Sequence, residues 1–143
     1  MSNDIESDFP NLIGKEFRVL KKSESIKYNC HAYSLEIYDE WCGSSQKNWP
    51  HDKIDRSPSL ENYIKYFNLH GYNMCEDDSL EERYDKIALY VNKNNNVTHS
   101  CRQFGELWRS KLGPGGILEH KLEWICGDIY GNIGCIMKRK SKY

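Results

Sequence analysis

The stretch Lys86-Ile87-Ala88-Leu89-Tyr90-Val91-Asn92-Lys93-Asn94-Asn95-Asn96-Val97-Thr98-His99-Ser100-Cys101-Arg102-Gln103 decides the fold. Its first six residues are a short apolar run of β type. The Asn-rich tract that ends the run is made of residues that tolerate turn conformations. The chain then enters a second β-type run, so the whole stretch predicts an antiparallel hairpin. Downstream, Gly105 permits another reversal before Leu107-Trp108-Arg109-Ser110-Lys111-Leu112, and Gly113-Pro114-Gly115-Gly116 breaks the chain again. The residues from Ile129 to Met137 alternate apolar with small side chains and predict a last strand. Together these segments make an antiparallel meander.

Upstream the period changes. Leu60, Tyr63, Ile64 and Phe67 recur at helical spacing, with Ser57-Pro58-Ser59 as a start signal and Gly71 as a stop. Their aromatic stripe reads as core, not as a cofactor box. Asn29 is a good N-cap, and the run from Cys30 to Tyr38 holds no helix breaker, which places Cys30 in a first helical turn. Between these helices Trp41 to Ser59 is rich in Gly, Ser, Pro and Asn and reads as a long surface loop bordering a site. Glu76 to Glu82 reads as an exposed acidic segment. The polar residues 1–11 predict a disordered start, leaving 12–143 as one domain of class α+β, its N-terminal helices packed on a small antiparallel sheet.

A chain of 143 residues is of single-domain length and buries roughly 70% of its unfolded surface. With 20 Lys+Arg against 21 Asp+Glu the formal charge is -1, so no long-range field gathers nucleic acid or an acidic membrane. The locally basic tail from Lys138 to Lys142 reads as a solvated end. No apolar stretch approaches the roughly 20 residues that span a bilayer, and no secretion signal opens the chain, so the sequence predicts a cytoplasmic protein. The six cysteines are widely scattered, which favours free thiols over a disulfide framework. No pair has zinc-knuckle spacing, and neither a metal nor a cofactor is expected.

Chemistry centres on Cys30. A helix start favours negative charge, and a thiol is a nucleophile as thiolate. The other five cysteines read as small buried hydrophobes. His99, on an early strand of a sheet packed against that helix, is the candidate base; Cys first on a helix and His later on a strand is the papain-like order. His31 follows Cys30 directly, about 100° away around a helix, and reads as a surface or supporting residue. His51 and His70 read as solvated or capping. His120 is the second candidate for base, or for the group that orients His99. Glu119 and Gln103 compete for that third place. Arg102 and Lys111 either bind a carboxylate of the substrate or pair with the acidic segment, and a surface ion pair is the reading preferred.

The ordered segments Asn29-Cys30-His31-Ala32-Tyr33, Lys86-Ile87-Ala88-Leu89-Tyr90, Thr98-His99-Ser100-Cys101-Arg102-Gln103, Trp108-Arg109-Ser110-Lys111-Leu112-Gly113, Glu119-His120 and Tyr130-Gly131 resemble a poorly characterised bacterial family. Its pattern is N-C-x-A-[WY], K-I-A-L-Y, T-H-x-x-R-Q, W-x-S-K-L-G, E-H and Y-G. By analogy the resemblance implies a papain-like fold of the NlpC type. In that type the base opens the strand that here begins with Lys86, and His99 corresponds to the orienting residue. Either the base has moved to His99, or the site is changed or inactive.

The function expected is acyl transfer by a thiol enzyme, a cysteine peptidase, amidase or deamidase acting on a protein or peptide. Delivery into another cell as an effector is compatible with it. The alternative is a catalytically inactive papain-like module that binds a protein partner through exposed Tyr and Trp of the Trp41 to Pro50 loop.

Overall fold

β3 (Tyr84–Val91) and β4 (Val97–Phe104) form the predicted hairpin and lie at the centre of a seven-stranded sheet. The computed structural model describes residues 2–22 and 25–142, the side chains of 2–4 excepted. β5 (Leu107–Lys111) and β6 (Ile117–His120) continue the meander on one side; β7 (Asn132–Lys140) pairs with the other side of β3. Two short edge strands, β1 (Arg18–Lys21) and β2 (Asn73–Cys75), complete the antiparallel order β1-β6-β5-β4-β3-β7-β2. These edge strands are four and three residues long, too short for an apolar alternation to be read in the sequence.

Because side chains alternate along a strand, the sheet has two covered faces. One carries Ile87, Leu89 and Met137 and packs against α2 (Cys30–Ser34) and α3 (Leu60–Leu69) through Ala32, Tyr33 and Phe67. The other carries Ala88, Tyr90, Cys101, Trp108 and Leu118 and is covered by Phe9, Leu12, Leu122 and Ile125. α3 has the predicted span: the Ser59 hydroxyl accepts from Asn62 N-H, His70 is the C-cap, and Gly71 follows at φ 90°.

Two irregularities open the sheet near its middle. Tyr90 faces His99 and Val91 faces Val97, so Thr98 is an extra residue in β4, a bulge. On the other side of β4 the ladder with β5 runs from Phe104↔Leu107 to Arg102↔Arg109 and, among the described residues, stops there. The edge of β4 at His99 and Ser100 is therefore free to take another partner.

Several expectations need correction. The start is not disordered over the described part of 1–11: α1 spans Ser2–Asp8, a 3-10 turn spans Pro10–Leu12, and Phe9 and Leu12 are buried. Two apolar side chains anchor a segment whose average composition is polar. The Trp41 to Ser59 segment is not a surface loop with exposed anchors. Cys42, Trp49 and Ile54 are buried, and the Trp49 indole donates to Ile54 O and lies 4.6 Å from Tyr66. The turn-forming residues bend the chain, while the large aromatic area drives the segment into the core. The basic tail is also not free: Lys138 pairs with Glu81 and Arg139 with Glu36. Lys86, nearly fully buried, and Lys138 hold the acidic segment through Asp77 and Glu81, a role expected of Arg102 and Lys111. Arg102 instead pairs with Glu36, and Lys111 donates to Gly113 O. All six cysteines are free thiols. Among the described residues no helix is long and apolar enough to cross a membrane.

Candidate active site at the Cys30 thiol

Asn29 fixes the start of α2. Its side-chain oxygen accepts from Ala32 N-H and Cys42 N-H, both at 3.1 Å, and its amide donates to Cys42 O at 2.8 Å. One side chain thus caps the helix and ties it to the following loop. Cys30 is the next residue, 8% exposed. Burial pushes its thiol up to about 11; hydrogen bonds from the backbone of Ser100, His31 and Cys30 itself, and the charge of Lys111, favour the thiolate but do not outweigh burial. At neutral pH the resting sulfur is a thiol. The helix start that the sequence displays is real; the burial that opposes it is not visible there.

The contact with Ser100 places the sulfur at the free edge of β4, at the peptide step that follows His99. Among the described residues no hydrogen bond joins the sulfur to the His99 ring. His99 is 1% exposed, faces the side of the sheet away from α2, and stacks on Tyr130 at 3.8 Å and 7°. Burial first, then the neighbouring His31 and His120, holds it well below the usual imidazole range.

Hydrogen bonding determines which nitrogen of His99 carries the proton. His120 Nδ1 lies 2.9 Å from Lys121 O; a carbonyl accepts, so Nδ1 of His120 is protonated. Burial lowers His120 to about 4, so at neutral pH its ring is neutral and its Nε2 is an acceptor. The Ser110 hydroxyl, 2.7 Å away, therefore donates to it, and accepts from His99 Nε2-H at 2.9 Å. A neutral His99 protonated at Nε2 has its lone pair at Nδ1, and among the described residues no hydrogen bond reaches that atom. The relay leaves His99 neutral, with its proton on Nε2.

His31 lies on the α2 face and is buried, not a surface residue. Its Nδ1 is 2.8 Å from the Ser100 hydroxyl, which is also 2.9 Å from that of Ser34, and burial lowers its pKa to about 4. Adjacent residues of β4 thus project opposite ways, Ser100 toward the helix and His99 away from it.

Of the three candidates for the orienting place, His120 alone lies on the His99 network, and it acts through Ser110. Glu119 projects to the opposite face, where Arg18 donates to Oε1 at 2.9 and 2.7 Å and Arg109 to Oε2 at 3.1 Å. Burial raises its carboxyl, but these guanidiniums outweigh it and hold the pKa low. Gln103 lies toward the far end of β4 and donates to Asp78 O at 2.8 Å. Neither can reach His99. Ser110 escaped the sequence reading; the available signal was a hydroxyl in a strand beside the one bearing the histidine. Among the described residues no group of three or more His, Cys, Asp or Glu forms a metal site.

No curated protein and no solved structure matches the chain. A family model described as a domain of unknown function (DUF7689) matches residues 19–138, which take in α2, α3, all of the sheet but the first residue of β1 and the last two of β7, and the whole Cys30 neighbourhood. The chain belongs to that family.

Proposed function

We propose that the protein is a thiol-dependent acyl-transfer enzyme of papain-like arrangement, with Cys30 as nucleophile and His99 as base. The observation that carries this reading is the Lys121-His120-Ser110-His99 relay, which holds a neutral imidazole on the residue whose following N-H contacts the sulfur. Ser110 and His120 are positioning residues, taking the place that a single side chain fills in the familiar triad.

With the thiol raised and the imidazole lowered, the resting pair is neutral. The proton moves as attack proceeds: Cys30 passes it to His99 Nδ1 while sulfur bonds the amide carbon, and His99 returns it to the departing nitrogen as the C-N bond breaks. Water then attacks the thioester, giving up one proton through His99, and the carboxylic acid and free thiol are released. Peptide, isopeptide and glutamine amides all suit this sequence of steps.

The test is the pH dependence of iodoacetamide labelling at each of the six cysteines by mass spectrometry, in wild type and His99→Ala. Cys30 is expected to label faster than the other buried cysteines, Cys42, Cys101 and Cys135, with an advantage that His99→Ala removes. Labelling of Cys30 no faster than that of buried Cys101 would sink the catalytic reading. A second reading, an inactive binding domain on the same scaffold, draws on the burial of both Cys30 and His99 and predicts that second outcome.

A further inference from the structure

On the α2 face an open groove of about 480 Å³ is lined by residues that include Leu20, Tyr28, Tyr33, Ile117, Lys21 and Arg109. Tyr33 lies three residues after Cys30 in α2, so the two side chains are neighbours on one helical face. Tyr28 lies two residues before Cys30, and Lys111, whose charge acts on the sulfur, stands 5.0 Å from the Tyr28 ring. Two of the groove's tyrosines therefore flank Cys30 in the chain.

The groove's Arg109 pairs with Glu119, whose side chain is only 6% exposed and is shared with Arg18. Among the described residues, two guanidiniums thus face this one carboxylate. Arg109 reaches Glu119 through Nε at 3.1 Å, and its guanidinium lies 4.3 Å above the Phe104 ring, a stacked and fixed cation. Leu20 and Ile117 supply aliphatic wall and the tyrosines flat ring surface.

We infer that this groove is the recognition subsite of the Cys30 centre and takes a peptide segment bearing a carboxylate beside an apolar side chain. Burial favours the apolar group against Leu20, Ile117 and the rings; the carboxylate meets the Arg109 guanidinium, for which a fork-shaped anion is the natural partner. The inference rests on the acyl-transfer reading for its meaning, and on the groove itself for its evidence.

The experiment is a backbone-amide NMR titration of the full chain with acetyl-Leu-Glu-amide and, separately, its neutral isostere acetyl-Leu-Gln-amide. Iodoacetamide labelling of Cys30 is followed with each peptide present. The glutamate peptide is expected to shift Leu20, Tyr33 and Ile117, to bind at least about fivefold tighter than the glutamine peptide, and to slow Cys30 labelling. Arg109→Gln is expected to reduce that preference, as is 0.5 M salt. Equal binding of the two peptides, or shifts elsewhere, overturns the inference even where Cys30 is reactive. Selective binding at the groove with an inert Cys30 upholds the anion-selective groove and overturns the enzyme reading instead.

Discussion

The hydroxyl of Ser110 is the smallest group on which the site depends. It donates to His120 and accepts from His99, so Ser110→Ala leaves two buried nitrogens without partners and costs about 1 to 3 kcal/mol of stability for each. It also frees His99 to rotate or to take the other tautomer. We expect Ser110→Ala to slow Cys30 labelling in the same direction as His99→Ala while circular dichroism stays that of wild type. Ser110→Thr, which keeps the hydroxyl, is expected to retain most of the reactivity. Labelling unchanged in Ser110→Ala would remove the relay from the mechanism. His99→Ala itself is expected to lower any turnover by roughly 10² to 10⁴-fold, the usual contribution of a positioned general base.

α2 is five residues long, too short to be stable by propensity, so its place is set by what holds its ends. Asn29 caps the first turn and anchors the Cys42 backbone, and Asn29→Ala removes both functions. We expect a loss of about 1 to 2 kcal/mol in urea unfolding, the range for a helix cap, together with faster, less selective alkylation of Cys30 as the helix start loosens. On the other face, the turn before β7 holds Tyr130 flat against His99. Gly131 there has φ 78°, and a Cβ at this position would stand 2.0 Å from Val91 O. Gly131→Ala is therefore expected to displace Tyr130 and β7 and to lower the unfolding midpoint markedly; an unchanged midpoint would mean that the backbone relaxes without effect. This contact gives the Tyr130-Gly131 motif a physical meaning.

Across the molecule, burial of titratable groups makes stability depend on pH. His31 and His120 fall to about 4 in the folded chain and lie near 6.5 when unfolded. Their folded values are depressed, so their contribution is complete above pH 6.5 and is lost as pH falls toward 4, by up to about 3 kcal/mol each. His99 acts in the same direction. Cys30 is raised to about 11, so its contribution is complete below pH 9 and is lost as pH rises through 11. Urea midpoints are expected to be highest between pH 7 and 9 and to fall on both sides. A midpoint flat from pH 7 to 4.5 would show that the buried histidines titrate as free ones do.

The central hairpin, the reversal at Gly105, α3 and the helical position of Cys30 are legible in the sequence because each rests on local chemistry: β-branched and aromatic runs, turn residues, caps. The contact of the Cys30 sulfur with the backbone at Ser100 is not local. The one-residue bulge at Thr98 and the early end of the β4-β5 ladder lie close to it in β4, and neither has a signature in composition. The same holds for the choice among Glu119, Gln103 and His120, since neighbouring positions on a strand face opposite sides of the sheet and register alone settles which meets His99. The sequence by itself determined the central strands, the start of α2, α3 and the residue types available for chemistry, because propensity and periodicity act within a few residues. The tertiary structure decided which of them meet, which are buried, and which carry a proton, because those depend on desolvation and on partners drawn from distant parts of the chain.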